Sequence, residues 1–125
     1  MINEHALCAF AEVIGEGDQT VLLFDHRGVV RAGMYLDSNG TDVSGEICSA
    51  LAGVGVEATR AMRHLAIGEW RAIVCECTDA NLAMAPADDG DIVLVAAAPS
   101  VPGGFVRRLL DVASRRALAW RREVA

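Results

Sequence analysis

Five short β-type runs fall into two groups, a hairpin and a three-membered meander, separated by one helix-length segment and followed by another. Thr20 to Asp25 is apolar and β-rich, Asp25-His26-Arg27-Gly28 carries turn residues at both ends, and Val29 to Met34 is a second extended run. Together they predict a hairpin. Trp70 to Thr78, Asn81 to Ala85 and Asp91 to Ala98 read as three further strands, with Asp79-Ala80 and Asp88-Asp89-Gly90 as the turns between them. A short helix is expected over about 4–15, where Leu7, Phe10 and Ile14 recur at spacings of three and four before Gly15 and Gly17. The order α-β-β-α-β-β-β-α predicts an α+β fold, with helices on both faces of one antiparallel sheet.

The two long helices carry different patterns. From Pro102 to the end, Val106, Leu110, Ala113, Ala117, Trp120 and Val124 form a single amphipathic seam, and Pro99 and Pro102 set its start. The helix over about 43–65 has Thr41 or Asp42 before it to accept free amide hydrogens. Ile47, Leu51, Val54, Ala58, Met62 and Leu65 fall on one stripe, which predicts the core face. A second stripe holds Gly45, Ser49, Ala52, Gly53 and Val56, with Arg60 and Arg63 beyond. Glycine inside a helix costs roughly 0.5 to 1 kcal/mol relative to alanine, so Gly45, Gly53 and Gly55 need an offset. Close approach of another backbone supplies one, and the stripe is expected to be a second packing surface.

Composition narrows the chemistry. At 125 residues the chain is the size of one domain, and no linker divides it, so 1–125 is read as a single unit. All eleven basic residues are Arg. Without lysine there is no Schiff-base nucleophile and no P-loop lysine, which excludes covalent pyridoxal chemistry and nucleotide hydrolysis of the P-loop type. A formal charge of −6 is a poor basis for binding nucleic acid. The uncharged stretch from Ile92 to Val106 is shorter than a membrane span and contains two prolines, so membrane insertion is not expected. Met1-Ile2-Asn3-Glu4-His5 does not read as a secretory leader, and Cys8, Cys48, Cys75 and Cys77 are expected to be reduced thiols of a cytoplasmic protein.

The hairpin sequence Val21-Leu22-Leu23-Phe24-Asp25-His26-Arg27-Gly28-Val29-Val30, the Ala/Gly/Leu-rich helix after it, and Ala98-Pro99-Ser100-Val101-Pro102-Gly103-Gly104-Phe105-Val106-Arg107-Arg108-Leu109 resemble the roadblock/dynein light chain domain family in their order and spacing. The resemblance runs from about residue 4 to residue 123. It differs in a shorter first helix and more glycine in the second. It implies a profilin-like sheet of strand order 2-1-5-4-3, and a non-catalytic homodimer, acting as scaffold or regulator, that binds a small Ras-like GTPase. It also implies that an edge strand pairs with its symmetry mate while the helices after the hairpin pack together. The strand Arg71-Ala72-Ile73-Val74-Cys75-Glu76-Cys77 lacks proline and is mostly apolar, which independently favours edge pairing. The expected homodimer interface is Gly45, Ser49, Ala52, Gly53, Val56, Arg71, Ile73 and Cys75, and the expected GTPase face is Glu57, Arg60, Arg63 and His64.

Catalytic and metal chemistry find little support. Cys75 and Cys77 share one side of a strand, but neither Cys8 nor Cys48 completes a zinc pattern, and they read as small apolar residues. Asp25 and His26 are neighbours in a turn without a nucleophilic serine elbow, so no enzyme activity is expected. Asp88, Asp89 and Asp91 lack EF-hand spacing and read as a solvated hairpin tip. Neither metal nor cofactor is expected. From Phe105 onward six arginines and two carboxylates give a local excess of +4, leaving −10 on the rest. Arg108, Arg115 and Arg122 share a face that could dock an acidic partner or form the wet side of the helix. Two other readings stay open: a profilin- or PAS-like small-molecule sensor, against which 5% aromatic content weighs, and a purely structural assembly subunit.

Overall fold

The computed structural model describes residues 19–37, 39–87 and 90–124, with side chains as far as residue 119. The short helix expected over 4–15, with His5 and Cys8, lies outside the described residues, as do Asp88, Asp89 and the side chains of Trp120, Arg122 and Val124.

β1 (Thr20–Phe24) and β2 (Val30–Gly33) form the hairpin. Its turn is organised by the Asp25 carboxylate, whose Oδ1 accepts the amide hydrogens of Arg27 at 2.9 Å and Val29 at 3.0 Å. The meander is β3 (Ile73–Glu76), β4 (Asn81–Pro86) and β5 (Ile92–Ala97). β1 pairs antiparallel with β5 from Thr20↔Ala96 to Phe24↔Ile92, joining the two groups in one sheet of order β2-β1-β5-β4-β3. The expected α+β class and strand order are thus those of the folded chain.

Strand alternation divides the core in two. Val21, Leu23, Val93 and Val95 point to one face, where the C-terminal helix (Gly103–Val124) lays down Val106, Leu110, Ala113 and Ala117, all 0% exposed. Four of the six residues in its predicted seam are therefore core, and the other two lie outside the described side chains. Leu22, Phe24, Met84 and Leu94 point to the other face, under the central helix (Ser44–Leu65). β5 lies between both layers and is buried at every residue.

The central helix begins and ends within a residue of expectation, but it is rotated from the predicted core face. Its buried residues are Ser44, Cys48, Ala52 and Gly55. Val54 and Leu65, expected in the core, are 45% and 61% exposed. The cause is steric: Gly55 lets the helix descend until a Cβ there would lie 2.9 Å from Ile92 Cδ1, and the larger apolar side chains are displaced to the flank. Ala52 accordingly leaves the expected outer stripe and packs on its own sheet, 4% exposed. At the helix start Asp42 Oδ1 accepts the Ser44 amide hydrogen at 3.0 Å, the role anticipated for Thr41 or Asp42.

Two further expectations are corrected. β3 starts at Ile73 rather than Trp70, because Trp70 turns to the helix and its Nε1 donates to Thr59 Oγ1 at 3.0 Å. Asp91 is not part of a solvated tip: it is 1% exposed and pairs with Arg31, Nε to Oδ1 at 3.2 Å.

Candidate functional site

The sheet has two edges with unequal chemistry. β2 carries Arg31, a bulge in its pairing with β1 between Leu23 and Phe24, and Gly33 at φ +89°, all of which disturb a flat edge. β3 has none of these. Its sequence is Ile-Val-Cys-Glu, and among the described residues it has a strand on one side only. Val74 is 42% exposed, while the Glu76 carboxylate turns toward the start of the C-terminal helix, where a Cβ on Gly103 would lie 2.6 Å from its Oε1. A carboxylate at a helix N-terminus is favoured by the helix dipole, so Glu76 is drawn off the edge. Asn81 secures the far end of β3: its Oδ1 accepts the Cys77 amide hydrogen at 3.2 Å and its Nδ2 donates to Val101 O at 2.8 Å.

The central helix presents two flanks. Gly28 in the β1–β2 turn abuts the Ser49 backbone, and Val56 borders a cleft with His26 and Asp91, so Gly45, Ser49 and Val56 face the hairpin side. The opposite flank, with Ile47, Leu51, Val54, Ala58 and Leu65, faces β3. Ile47 and Leu51 belong to the same cluster as Ile73 and Leu82, each partly buried. Among the described residues, a partly exposed apolar flank of the helix and an open strand edge therefore share this side of the core. Of the expected interface residues, Arg71, Ile73 and Cys75 lie in or next to β3, Ala52 is buried against the sheet, and Gly45 and Gly53 have open space around them among the described residues.

Glu57, Arg60, Arg63 and His64 are all exposed on the C-terminal half of the helix. Arg60 Nη1 lies 3.7 Å from Glu57 Oε1, with both side chains about 70% exposed, a pair that contributes little to stability. Arg63 borders a cleft of about 370 Å³ with Thr59, Met62, Glu69, Trp70 and Pro86. That cleft was not legible in sequence, because Trp70 was read as part of a strand.

The described thiols and carboxylates do not gather at one place. Cys48 is buried, and burial, with the nearby Asp42 charge, pushes its thiol up to about 12. Cys75 is half-buried and Cys77 exposed. The Val29 amide hydrogen, opposed by desolvation and aided by Arg27, holds the Asp25 carboxyl below its ordinary value. Among the described residues no group of three or more His, Cys, Asp or Glu could hold a metal ion, and no helix is long and apolar enough to cross a membrane. On the C-terminal helix Arg107 pairs with Asp111, while Arg108 and Arg115 are exposed.

The chain has the roadblock-type fold. It is similar to the gliding protein MglB from Thermus thermophilus, with a TM-score of 0.80 at 19% identity over 96% of this chain and 90% of that one. It is also similar to a Roadblock/LC7 domain from Streptomyces avermitilis, with a TM-score of 0.74 at 15% identity over 90% and 94% of the respective chains. Profilin II from Acanthamoeba castellanii resembles it less, with a TM-score of 0.61 at 15% identity over 90% and 95%. No family profile and no curated protein sequence matches the chain.

Proposed function

We propose that the chain is a non-catalytic cytoplasmic homodimer that binds a small Ras-like GTPase and regulates or scaffolds it. The observation that carries the reading is the junction of the β3 edge with the apolar flank of the central helix. Among the described residues a lone copy leaves the outer backbone groups of β3 unpaired and Val54 and Leu65 exposed, and a second copy related by a two-fold axis would cover both at once. The proposed interface is Arg71, Ile73, Val74 and Cys75 with Leu51, Val54 and Ala58. Glu57, Arg60, Arg63 and His64 stay outward and form the partner face. The roadblock-type fold supports this reading.

The test is direct. Sedimentation at low micromolar concentration is expected to give a dimer. The small Ras-like GTPase encoded nearest this chain's gene is then loaded with GDP or with a non-hydrolysable GTP analogue and titrated calorimetrically. Nucleotide-dependent binding that Arg60→Glu with Arg63→Glu weakens at least tenfold is expected. Absence of binding in either nucleotide state removes the GTPase part of the reading.

A further inference from the structure

The backbone of β3 determines how two copies must meet, and we infer that Cys75 lies beside the two-fold axis of the dimer, where two thiols face each other and can close into a covalent lock between subunits. The inference rests on the homodimer reading above and adds its register and a means of regulating it.

The Cys77 amide donates to Ala80 O at 3.0 Å, and β3 pairs with β4 as Ile73↔Met84 and Cys75↔Leu82. Ile73, Cys75 and Cys77 therefore turn their N–H and C=O groups toward β4, and Val74 and Glu76 turn theirs outward. A two-fold axis normal to the sheet keeps every side chain on its own face, and directly opposed residues share a face, so the axis must pass midway between the two copies of one residue. Within β3 the central choices are Val74, Cys75 and Glu76. Centring on Glu76 leaves Val74 to find Thr78, outside the strand. Centring on Val74 pairs Val74 with itself and leaves Glu76 to find Ala72, outside the strand. Centring on Cys75 pairs Val74 with the partner's Glu76 and satisfies all the outward groups within the strand. Arg71 then comes level with the partner's Asp79, opposite in charge.

In that register Cys75 and the partner's Cys75 form a non-hydrogen-bonded pair, with Cα atoms about 4.5 Å apart. This is inside the roughly 4.4–6.8 Å that a disulfide spans. The Cys75 thiol is free and half-buried, on the side of the sheet that the central helix covers. Oxidised glutathione suffices as oxidant. One Cys75 thiolate attacks a glutathione sulfur and releases one glutathione thiolate; the second Cys75 thiolate displaces the other, so two thiols become one disulfide and one oxidised glutathione becomes two reduced ones.

The full chain is incubated with oxidised glutathione and resolved on a non-reducing gel, beside Cys8→Ser, Cys75→Ser and Cys77→Ser. Covalent dimer is expected from the wild type, Cys8→Ser and Cys77→Ser, with at least tenfold less from Cys75→Ser, and peptide mapping is expected to give a Cys75–Cys75 link. Sedimentation of the reduced protein runs in parallel. A reduced dimer that links through another cysteine, or not at all, overturns the register while the homodimer stands. A reduced monomer overturns both.

Discussion

A β-carbon placed on Gly28 would lie 2.5 Å from the Ser49 Cα, so the first hairpin turn touches the backbone of the central helix. Gly28 also has φ +88°, a conformation that side-chain-bearing residues seldom adopt. Gly28→Ala therefore combines backbone strain with a clash that neither backbone can relieve by side-chain rotation, and is expected to cost about 2 kcal/mol or more in urea unfolding. Gly40→Ala is the control: φ is +78° there but the space around it is open, so only the smaller conformational cost applies. Equal losses for the two substitutions would show that the turn does not press on the helix.

Much of this architecture was legible because alternation and helical period act locally. The hairpin, the meander and the Val106, Leu110, Ala113, Ala117 seam follow from spacing alone. The rotation of the central helix does not, because the count of apolar side chains pointed to Leu51, Val54 and Leu65 while the closest packing goes to Cys48, Ala52 and Gly55. Small residues that permit close approach carry no hydropathy signal, and a stripe shared between a chain's own sheet and an outer surface looks like one core face. The glycines of that helix share one sequence signal, but Gly55 meets Ile92 whereas Gly45 and Gly53 meet nothing among the described residues. Arg31 and Asp91 were invisible as a pair for a different reason: they lie far apart in sequence, and strand pairing alone brings them together.

Acid should loosen the hairpin and the helix start together. Asp25 is held below its ordinary value of 3.8 chiefly by the Val29 amide hydrogen, and Asp42 likewise by the Ser44 hydroxyl and amide. Because both pKa values are depressed in the folded state, the ionised forms stabilise the fold above pH 3.8, and that contribution is lost as pH falls below it. Asp25→Asn is expected to be less stable than wild type near neutrality and to approach it in acid. A constant difference between the two from strong acid to neutrality, by chemical denaturation, would contradict the role of the charge.

Alkali acts through a thiol with the opposite sense. The Cys48 pKa is raised from 9.0 to about 12 by burial, so above pH 9 the unfolded chain ionises this thiol and the folded chain does not. Stability is therefore full below pH 9 and falls as pH rises from there toward 12. In a Cys8→Ser background, a thiol-specific dye at mildly alkaline pH is expected to label exposed Cys77 within seconds to minutes and to leave Cys48 unmodified until denaturant is added. Rapid labelling of Cys48 in the native protein would place it outside the core.

The two flanks of the central helix make opposite claims about the dimer. Val54 is 45% exposed and borders the β3 side, so Val54→Glu should cost folding less than about 1 kcal/mol, yet it sets an unpaired carboxylate inside the interface. Dimer dissociation is expected to rise at least tenfold, read by sedimentation over a concentration series. Gly53 stands in open space on the other flank, so Gly53→Ala should raise stability by roughly 0.5 to 1 kcal/mol through helix propensity and leave dissociation unchanged. If Gly53→Ala weakened the dimer and Val54→Glu did not, the small-residue stripe would be the contact surface and the apolar flank would belong to some other partner. The pair of substitutions separates the two surfaces because neither position contributes to the packing between the helix and its own sheet.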